Sequence, residues 1–212
     1  MTVVNTAKNN VFSKSEHVRL EESLKELLME SFNRAAEAFT RLLMQDMIIS
    51  RYRIEMITGE DFIDQLEDQM EEGYFASIIR LQNSVNTTIL FLLTEEDGKG
   101  LYRILNGMKP DAGLPPLEDL TDSIGELNNI LGNTFINCLA NTLDQRINGS
   151  VPRNTLDLLG AILESVILQS ELANKNIFYA EALISHKETA AFNVRLIILS
   201  DKNQLLKVLS RS

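Results

Sequence analysis

Cysteine and histidine are nearly absent from this chain, which has one cysteine and two histidines among 212 residues. Cys138 has no partner for a disulfide within the chain, and its place in a helical pattern predicts a small buried side chain. A nucleophilic cysteine needs a nearby base, and neither His17 nor His186 stands at a motif spacing from Cys138. The same scarcity argues against a metal site built from histidine and cysteine.

Positive charge is also scarce, with 20 Lys and Arg residues against 30 Asp and Glu residues and a formal net charge of −10. Nucleic acids and anionic membrane surfaces are bound through clustered cations, so neither is expected as a partner. Apolar runs such as residues 88–93 fall far short of the roughly 18–20 residues that a membrane span needs. The N-terminus has no apolar h-region, so we expect no secretory signal and a cytoplasmic protein.

Proline is concentrated in one segment, residues 109–116, which holds three of the four prolines and is predicted to be a linker. The same order of patterns, helix–strand–helix–strand–strand–helix, occurs on both sides of this linker. The first copy covers about residues 19–108 and the second about residues 117–210. Residues 1–18 are predicted to form a flexible arm.

The two copies share residues at a constant spacing of 100 positions. Glu26-Leu27 corresponds to Glu126-Leu127, and the apolar Leu24, Phe39 and Leu43 correspond to Ile124, Leu139 and Leu143. Each copy alone would bury too little apolar surface, so we predict a tandem duplication that forms one pseudo-symmetric domain. Short turns between strands predict a largely antiparallel sheet, and the fold class is α+β with two long surface helices.

Local signals place several shorter elements. Thr58 followed by Asp61 predicts a capped helix start. Asn154, which follows Pro152, predicts the N-cap of a helix that runs to about residue 170. Strands are expected near residues 50–57, 74–82, 86–93, 146–151, 177–186 and 190–199, with a hairpin turn at 83–85 and a closing helix after 200.

The second long helix, predicted over about residues 117–143, carries two stripes at helical spacing. The apolar stripe predicts a core face and consists of Leu120, Ile124, Leu127 and Leu131. The other stripe is polar and low in bulk, and consists of Asp122, Gly125, Glu126, Asn129, Gly132 and Asn133. Each glycine inside a helix costs about 1 kcal/mol relative to alanine. Three explanations are open: a solvated face, tight internal packing, or a partner protein that closely approaches Gly125 and Gly132.

Glu126 and Asn129 lie one helical turn apart on this polar stripe. Glu126 offers a carboxylate for a partner's lysine, and Asn129 offers an amide with one acceptor and two donors. An amide is neither a general base nor a nucleophile, but it can hold a water molecule in line for attack, as phosphoryl transfer requires. The stripe has no cation and no metal-binding carboxylate cluster. If the reaction is phosphate hydrolysis, the metal and the cation must therefore belong to the substrate molecule.

These residues fulfil every position of the pattern [Asp/Ser]-x3-Glu-x2-Asn-x22-Pro, with Asp122, Glu126, Asn129 and Pro152 at the fixed positions. The pattern resembles the signature of the CheC/CheX/FliY phosphatases of bacterial and archaeal chemotaxis, and the likeness to CheC covers about residues 19–210. The resemblance implies hydrolysis of the aspartyl phosphate on a CheY-like receiver. It implies that Glu126 binds the receiver's lysine, that Asn129 orients the attacking water, and that Asp122 and Pro152 are supporting framework. The receiver, not this chain, is expected to carry Mg²⁺.

The first copy departs from the CheC pattern, in which a second Glu-x2-Asn occurs in the first long helix. Here Glu26 is kept, but Leu28 and Met29 replace the family's glycine and asparagine. Methionine does not orient water as an amide does, so we expect one working site. Two alternatives stay open. One is a non-enzymatic adaptor that binds a receiver or the receptor deamidase CheD. The other is a component associated with the flagellar switch.

Overall fold

The computed structural model of the chain describes residues 14–82, 87–109, 111–142, 144, 146–169, 172, 175–188 and 192–201. The predicted hairpin turn at 83–85, the closing helix and most of the predicted N-terminal arm lie outside these ranges. The elements in chain order are α1 (Lys14–Leu43), β1 (Met47–Thr58), α2 (Gly59–Asp64), a 3₁₀ turn (Glu67–Gln69), β2 (Gly73–Gln82), β3 (Thr87–Thr94), α3 (Glu95–Leu105), α4 (Leu117–Thr142), β4 (Asn148–Gly149), β5 (Arg153–Leu158), α5 (Leu159–Gln169), β6 (Asn176–His186) and β7 (Asn193–Asp201).

Helix starts in the first half follow the local sequence. The Thr58 hydroxyl accepts from the Asp61 N–H at 3.1 Å, and the Asp61 carboxylate accepts from the Thr58 N–H at 3.3 Å. This capping box satisfies two backbone donors that the first turn of α2 would otherwise leave unpaired, and it confirms the predicted cap. Thr94 caps α3 with the first of these two bonds, in which its hydroxyl accepts from the N–H of Asp97 at 3.1 Å. α1 begins at Lys14, earlier than the predicted start near residue 19.

The strands form one sheet in which every described pairing is antiparallel, in the order β1-β6-β7-β3-β2, with β4 and β5 both paired to β2. Two buried apolar clusters lie on its two faces. The larger cluster joins the sheet to α1, α3 and α4, and the smaller one joins it to α2 and α5. The predicted α+β class with a largely antiparallel sheet is confirmed.

The sheet interleaves the two halves of the chain. β1 pairs with β6, β3 pairs with β7, and β2 pairs with β5, so each described strand of the first half has a neighbour from the second. Both long helices are followed by a residue with a left-handed backbone, Met44 (φ 54°) and Asp144 (φ 46°), which stand 100 positions apart. This arrangement is compatible with the predicted tandem duplication, which stays a prediction.

Aromatic rings anchor both clusters. Phe32 of α1 packs on Phe135 of α4 with ring centroids 6.0 Å apart. On the other face, Phe62 packs on Tyr179 at 5.1 Å. The Tyr179 hydroxyl donates to the buried carboxylate of Glu181 at 2.7 Å, and Arg195 pairs with the same carboxylate at 3.0 Å. The buried Glu181 is therefore satisfied by a hydroxyl and a cation, as a buried charge requires.

One predicted helix start is wrong. Residues 154–158 form most of β5, which pairs with β2 in the register Ser77 to Asn154, and α5 begins only at Leu159. Asn154 and Thr155 favour a helix cap or a strand more than a helix interior, and the free edge of β2 supplies backbone partners that make the strand the better choice. Pro152, just before β5, occupies a position where a missing N–H breaks no ladder bond.

Candidate functional site

The helix α4 carries the signature residues, and its apolar stripe fixes how they are presented. Leu120, Ile124, Leu127 and Leu131 are all buried in the larger cluster, which confirms the predicted core face. Because this stripe holds α4 against the sheet and α1, residues on the opposite side of the helix face solvent.

The two glycines do not lie on the solvent side, so the explanation in which a partner protein closely approaches them is wrong. Gly125 and Gly132 are both buried. A Cβ at Gly125 would collide with the side-chain amide of Asn154, and a Cβ at Gly132 would collide with the side chain of Ile79. Both glycines let α4 approach the sheet closely, which is the internal-packing explanation that the sequence left open.

Asn154, an exposed residue of β5, belongs to a polar contact beside α4. Its side chain lies against Gly125, and its amide oxygen accepts a hydrogen bond from the hydroxyl of the buried Ser77 on the neighbouring strand. The contact connects β2, β5 and the part of α4 that carries Glu126. Sequence reasoning missed this role for Asn154 because it placed the residue at a helix cap.

The remaining residues of the polar stripe of α4 are exposed together. Asp122, Glu126, Asn129 and Asn133 all face solvent. Asn133 donates from Nδ2 to Oδ1 of Asn129 at 3.1 Å, which restrains the Asn129 side chain. This bond uses the oxygen of the Asn129 amide, so it does not use the two N–H donors on Nδ2 of Asn129. Among the described residues, the carboxylate of Glu126 has no ion-pair partner within 4.0 Å. Glu126 and Asn129 are thus both accessible to an approaching protein.

The exposed surface of α4 changes character along the helix. Four acidic residues project from its first half, at Glu118, Asp119, Asp122 and Glu126, and no charged residue follows before Thr142. The second half instead exposes an asparagine every four residues, at Asn129, Asn133, Asn137 and Asn141. Asparagine costs roughly 0.6 kcal/mol more than alanine in a helix, so this row is chosen against helix propensity. The sequence signal for this row is the spacing of four residues, and the polar stripe contains its first two members, Asn129 and Asn133.

Asn128 is the one buried amide of α4, and it lies between Gly125 and Gly132 on the sheet-facing side. It is 0% exposed, and neither its Oδ1 nor its Nδ2 has a hydrogen-bond partner among the described residues. The residue 100 positions earlier, Leu28, is buried as well. An apolar side chain therefore suits this position, and burying an amide there without hydrogen bonds lowers the stability of the fold.

The supporting and first-copy residues occupy different environments. Pro152 is half-buried between β4 and β5, at the edge of the sheet against which α4 packs. Glu26 is exposed on α1, whereas Met29 is half-buried against the larger cluster. The side chain that stands where CheC has an amide is thus partly used for packing.

A shallow groove of about 290 Å³ lies between α1 and α4 beside the asparagine row, and it is lined by Glu30, Arg34, Thr134, Asn137, Cys138 and Asn141. Arg34 holds Glu30 through two hydrogen bonds of 3.0 and 3.2 Å. Cys138 is buried, as predicted, and its sulfur accepts from the Ser31 hydroxyl at 3.4 Å. Within the described ranges, no three His, Cys, Asp or Glu side chains converge as metal ligands.

Comparison with known proteins yields no match to any family model. Solved structures match at low identity. FliY from Thermotoga maritima has a TM-score of 0.67 and 12% identity, over 94% of this chain and 96% of that chain. FliM in a complex with SpeE from H. pylori has a TM-score of 0.62 and 10% identity, over 94% and 95%. A CheC-like superfamily protein from Shewanella has a TM-score of 0.53 and 12% identity, over 82% and 96%.

These likenesses define the class of fold. The chain has the CheC-like α+β fold, as predicted, and structures of both chemotaxis proteins and FliM share it. No helix in the described part of the chain combines the length and apolar character needed to cross a bilayer. At identities of 9–13% the similarity establishes the fold and leaves the activity to be argued from the site.

Proposed function

We propose that this protein is a phosphatase that hydrolyses the aspartyl phosphate of a CheY-like response regulator. One observation carries the proposal: Glu126 and Asn129 are exposed together, one turn apart, on a helix whose register is fixed by a buried apolar stripe. These are two of the four fixed positions at which the chain matches the CheC/CheX/FliY signature, and the fold similarity includes FliY and CheX.

In this proposal the two residues divide the work. Glu126, which has no ion-pair partner in the part of the chain that the structure describes, accepts a salt bridge from the receiver's lysine and brings α4 over the receiver's active site. The Asn129 side chain enters that site and holds a water molecule in line with the phosphorus. The water oxygen bonds to phosphorus as the bond to the aspartate oxygen breaks, which releases phosphate and restores the receiver's carboxylate. Positioning supplies most of the acceleration, because phosphoryl transfer needs little covalent help.

The receiver is expected to contribute the cations. Its Mg²⁺ would neutralise the phosphoryl oxygens, which fits an α4 surface that carries no lysine or arginine. The hydrogen bond from Asn133 supports the water-positioning role of Asn129, because it restricts the rotamers of the Asn129 side chain before the receiver binds. On α1, Glu26 is retained without an amide at position 29, so we assign the activity to α4 alone.

The second candidate function is binding without turnover. It is favoured by the similarity to FliM, which has the same fold. Solved structures show FliM in complexes with SpeE and with FliG. Under this alternative, α4 docks a receiver or CheD, or the protein is associated with the flagellar switch, and Asn129 serves only as a contact.

Phosphate release from a phosphorylated CheY-like receiver separates the two candidates. We expect wild-type protein to accelerate release and Asn129→Ala to lose about 100-fold of that acceleration, the scale of losing one positioning group, while still binding the receiver. Asn141→Ala is the matched control, since it removes an exposed amide from the same row away from the signature. Glu126→Lys should weaken binding by opposing the receiver's lysine, and Glu26→Lys should not. Binding with no acceleration by the wild type would establish the second candidate instead.

A further inference from the structure

An amide that belongs to the sheet lies beside the candidate water-positioning residue. Asn154 of β5 is exposed, and its side chain packs on the α4 backbone at Gly125. Gly125 precedes Asn129 by four residues, so the two positions are neighbours on the helix surface. A helical side chain leans over the turn before its own Cα, as the hydrogen bond from Asn133 to Asn129 shows. The Asn129 side chain therefore leans toward the turn on which Asn154 rests.

This amide is held at its oxygen and has donors to offer at its nitrogen. The Asn154 Oδ1 accepts a hydrogen bond from the hydroxyl of Ser77, which is buried on the neighbouring strand β2. Among the described residues, the Asn154 Nδ2 has no hydrogen-bond partner. An amide nitrogen carries two N–H donors. Asn154 thus presents donors to solvent at a position that Ser77 and Gly125 fix.

The three residues of this contact are poor choices for folding alone. A glycine inside a helix lowers the stability of that helix, and asparagine is disfavoured in strands. A serine hydroxyl buried in a sheet requires a hydrogen-bond partner that an apolar side chain would not need. Sequences depart from such local preferences mainly where function requires it. The convergence of Gly125, Ser77 and Asn154 on one exposed amide therefore indicates a role beyond packing.

The first half of the chain provides an internal comparison. The residues 100 positions before Gly125 and Asn154 are Lys25, which is exposed, and Ile54, which is half-buried against the larger cluster. Neither the glycine nor the amide therefore occurs in the half in which Met29 stands at the position of the water-positioning asparagine. A long helix packs on the sheet in both halves, so the fold does not require this pair. The pair accompanies the complete signature instead.

We propose that Asn154 is a receiver-binding residue that donates from Nδ2 to an oxygen acceptor of the receiver beside the phosphorylated aspartate. The inference rests on the proposed function, because the partner of Asn154 is taken to be the receiver that docks on Glu126 and Asn129. Ser77 and Gly125 are positioning residues: the hydroxyl holds the amide oxygen, and the glycine leaves room for the amide. Asn129 then governs turnover, whereas Asn154 governs how tightly the receiver binds.

Steady-state phosphate release over a range of CheY-like receiver concentrations tests this division, because it separates KM from kcat. We expect Asn154→Ala to raise KM about tenfold, the scale of one lost hydrogen bond, with kcat within about twofold of the wild type. Asn129→Ala should instead lower kcat. Asn154→Asp is the sharper variant, because its carboxylate still accepts from Ser77 and still fits against Gly125, whereas the donor is lost. It should raise KM at least about tenfold.

Two comparisons separate receiver binding from charge and from folding. Asn176→Asp makes the same exchange at an exposed asparagine of β6, which three strands separate from β5, and its KM should equal that of the wild type. Gly125→Ala displaces the Asn154 side chain, so it should raise KM about tenfold although the thermal midpoint stays nearly level. In an Asn154→Ala background, Gly125→Ala should have no further effect on KM, because the displaced amide is already absent.

The outcomes distinguish this inference from the proposed function. If the wild type accelerates phosphate release and Asn154→Asp keeps its KM, the inference is overturned and the phosphatase stands. A lower kcat of Asn154→Asp at unchanged KM would overturn it as well. If the wild type binds a fluorescently labelled receiver without turnover, the phosphatase fails, and anisotropy decides the inference: about tenfold weaker binding by Asn154→Asp supports it, and equal binding overturns it. A wild type that neither binds nor accelerates overturns both.

Discussion

The buried amide of Asn128 yields a quantitative prediction. Replacing it by leucine, the residue at the matching position 28 of α1, removes two polar atoms that have no partner among the described residues. A buried amide without hydrogen bonds costs about 1–3 kcal/mol, and leucine has the same branched arrangement of side-chain heavy atoms without the polar groups. We therefore expect Asn128→Leu to raise the free energy of unfolding by about 1–3 kcal/mol, which in a chain of this size raises the thermal midpoint by about 2–10 °C.

Urea unfolding followed by far-UV circular dichroism measures this change, with the slope of the transition as a check that both proteins unfold alike. The reverse substitution, Leu28→Asn, is the matched control. It buries an amide where the structure has an apolar neighbourhood, and it should lower the free energy of unfolding by about 2 kcal/mol or more. An Asn128→Leu protein that unfolds at the same or lower urea concentration would refute the reasoning, because the amide would then have a partner that contributes to stability.

Three further predictions concern the packing beneath the site and on the opposite face. Gly125→Ala should change the free energy of unfolding little, because a gain of about 1 kcal/mol in helix propensity offsets the cost of displacing the Asn154 side chain. In an Asn154→Ala background the same substitution should raise the free energy of unfolding by about 1 kcal/mol. Urea unfolding of the double-mutant cycle measures this difference, and a cycle that shows no coupling would contradict the prediction. Arg195→Leu should destabilise by about 3–5 kcal/mol because it leaves Glu181 buried without a cation, and adding Glu181→Leu should recover most of that loss. Burial raises the pKa of Tyr179, so the neutral phenol contributes stability that is present below about pH 10 and is lost as pH rises further; Tyr179→Phe should flatten this alkaline decline in thermal midpoint, and an unchanged decline would assign it to other groups.

Sequence patterns predicted most of the fold because they report on local energetics. The Thr58–Asp61 cap, the strand expected near residues 50–57 and the apolar stripe of α4 each follow from a short segment alone. β5 was mispredicted because its strand state depends on pairing with β2, which lies far away in sequence. Propensity gave only a weak preference there, and tertiary pairing overrode it.

The candidate site was predictable in its exposed part and not in its buried part. Glu126 and Asn129 form a spacing pattern that can be read without coordinates, and the structure places both on the surface. The role of Gly125 depends on what lies opposite it, and a glycine in a helix looks the same whether a partner or Asn154 approaches. The burial of Asn128 had no signal in the sequence, because a polar residue beside a polar stripe is expected to be exposed. Only the packing of α4 on the sheet shows that Asn128 is buried.

The interleaved strand order also governs how the chain can fold. The hydroxyls of Ser50 and Ser185, on the neighbouring strands β1 and β6, are hydrogen-bonded although they are 135 residues apart. The entropy cost of closing such a loop is incurred before the contacts between its ends stabilise the chain. A sheet of this connectivity therefore folds slowly for its size. During synthesis β1 has to wait until β6 leaves the ribosome, and the first half cannot complete its sheet alone. A chain stalled in residues 109–116 would expose the apolar strands β2 and β3, which makes it a natural client for chaperones and a hazard for aggregation.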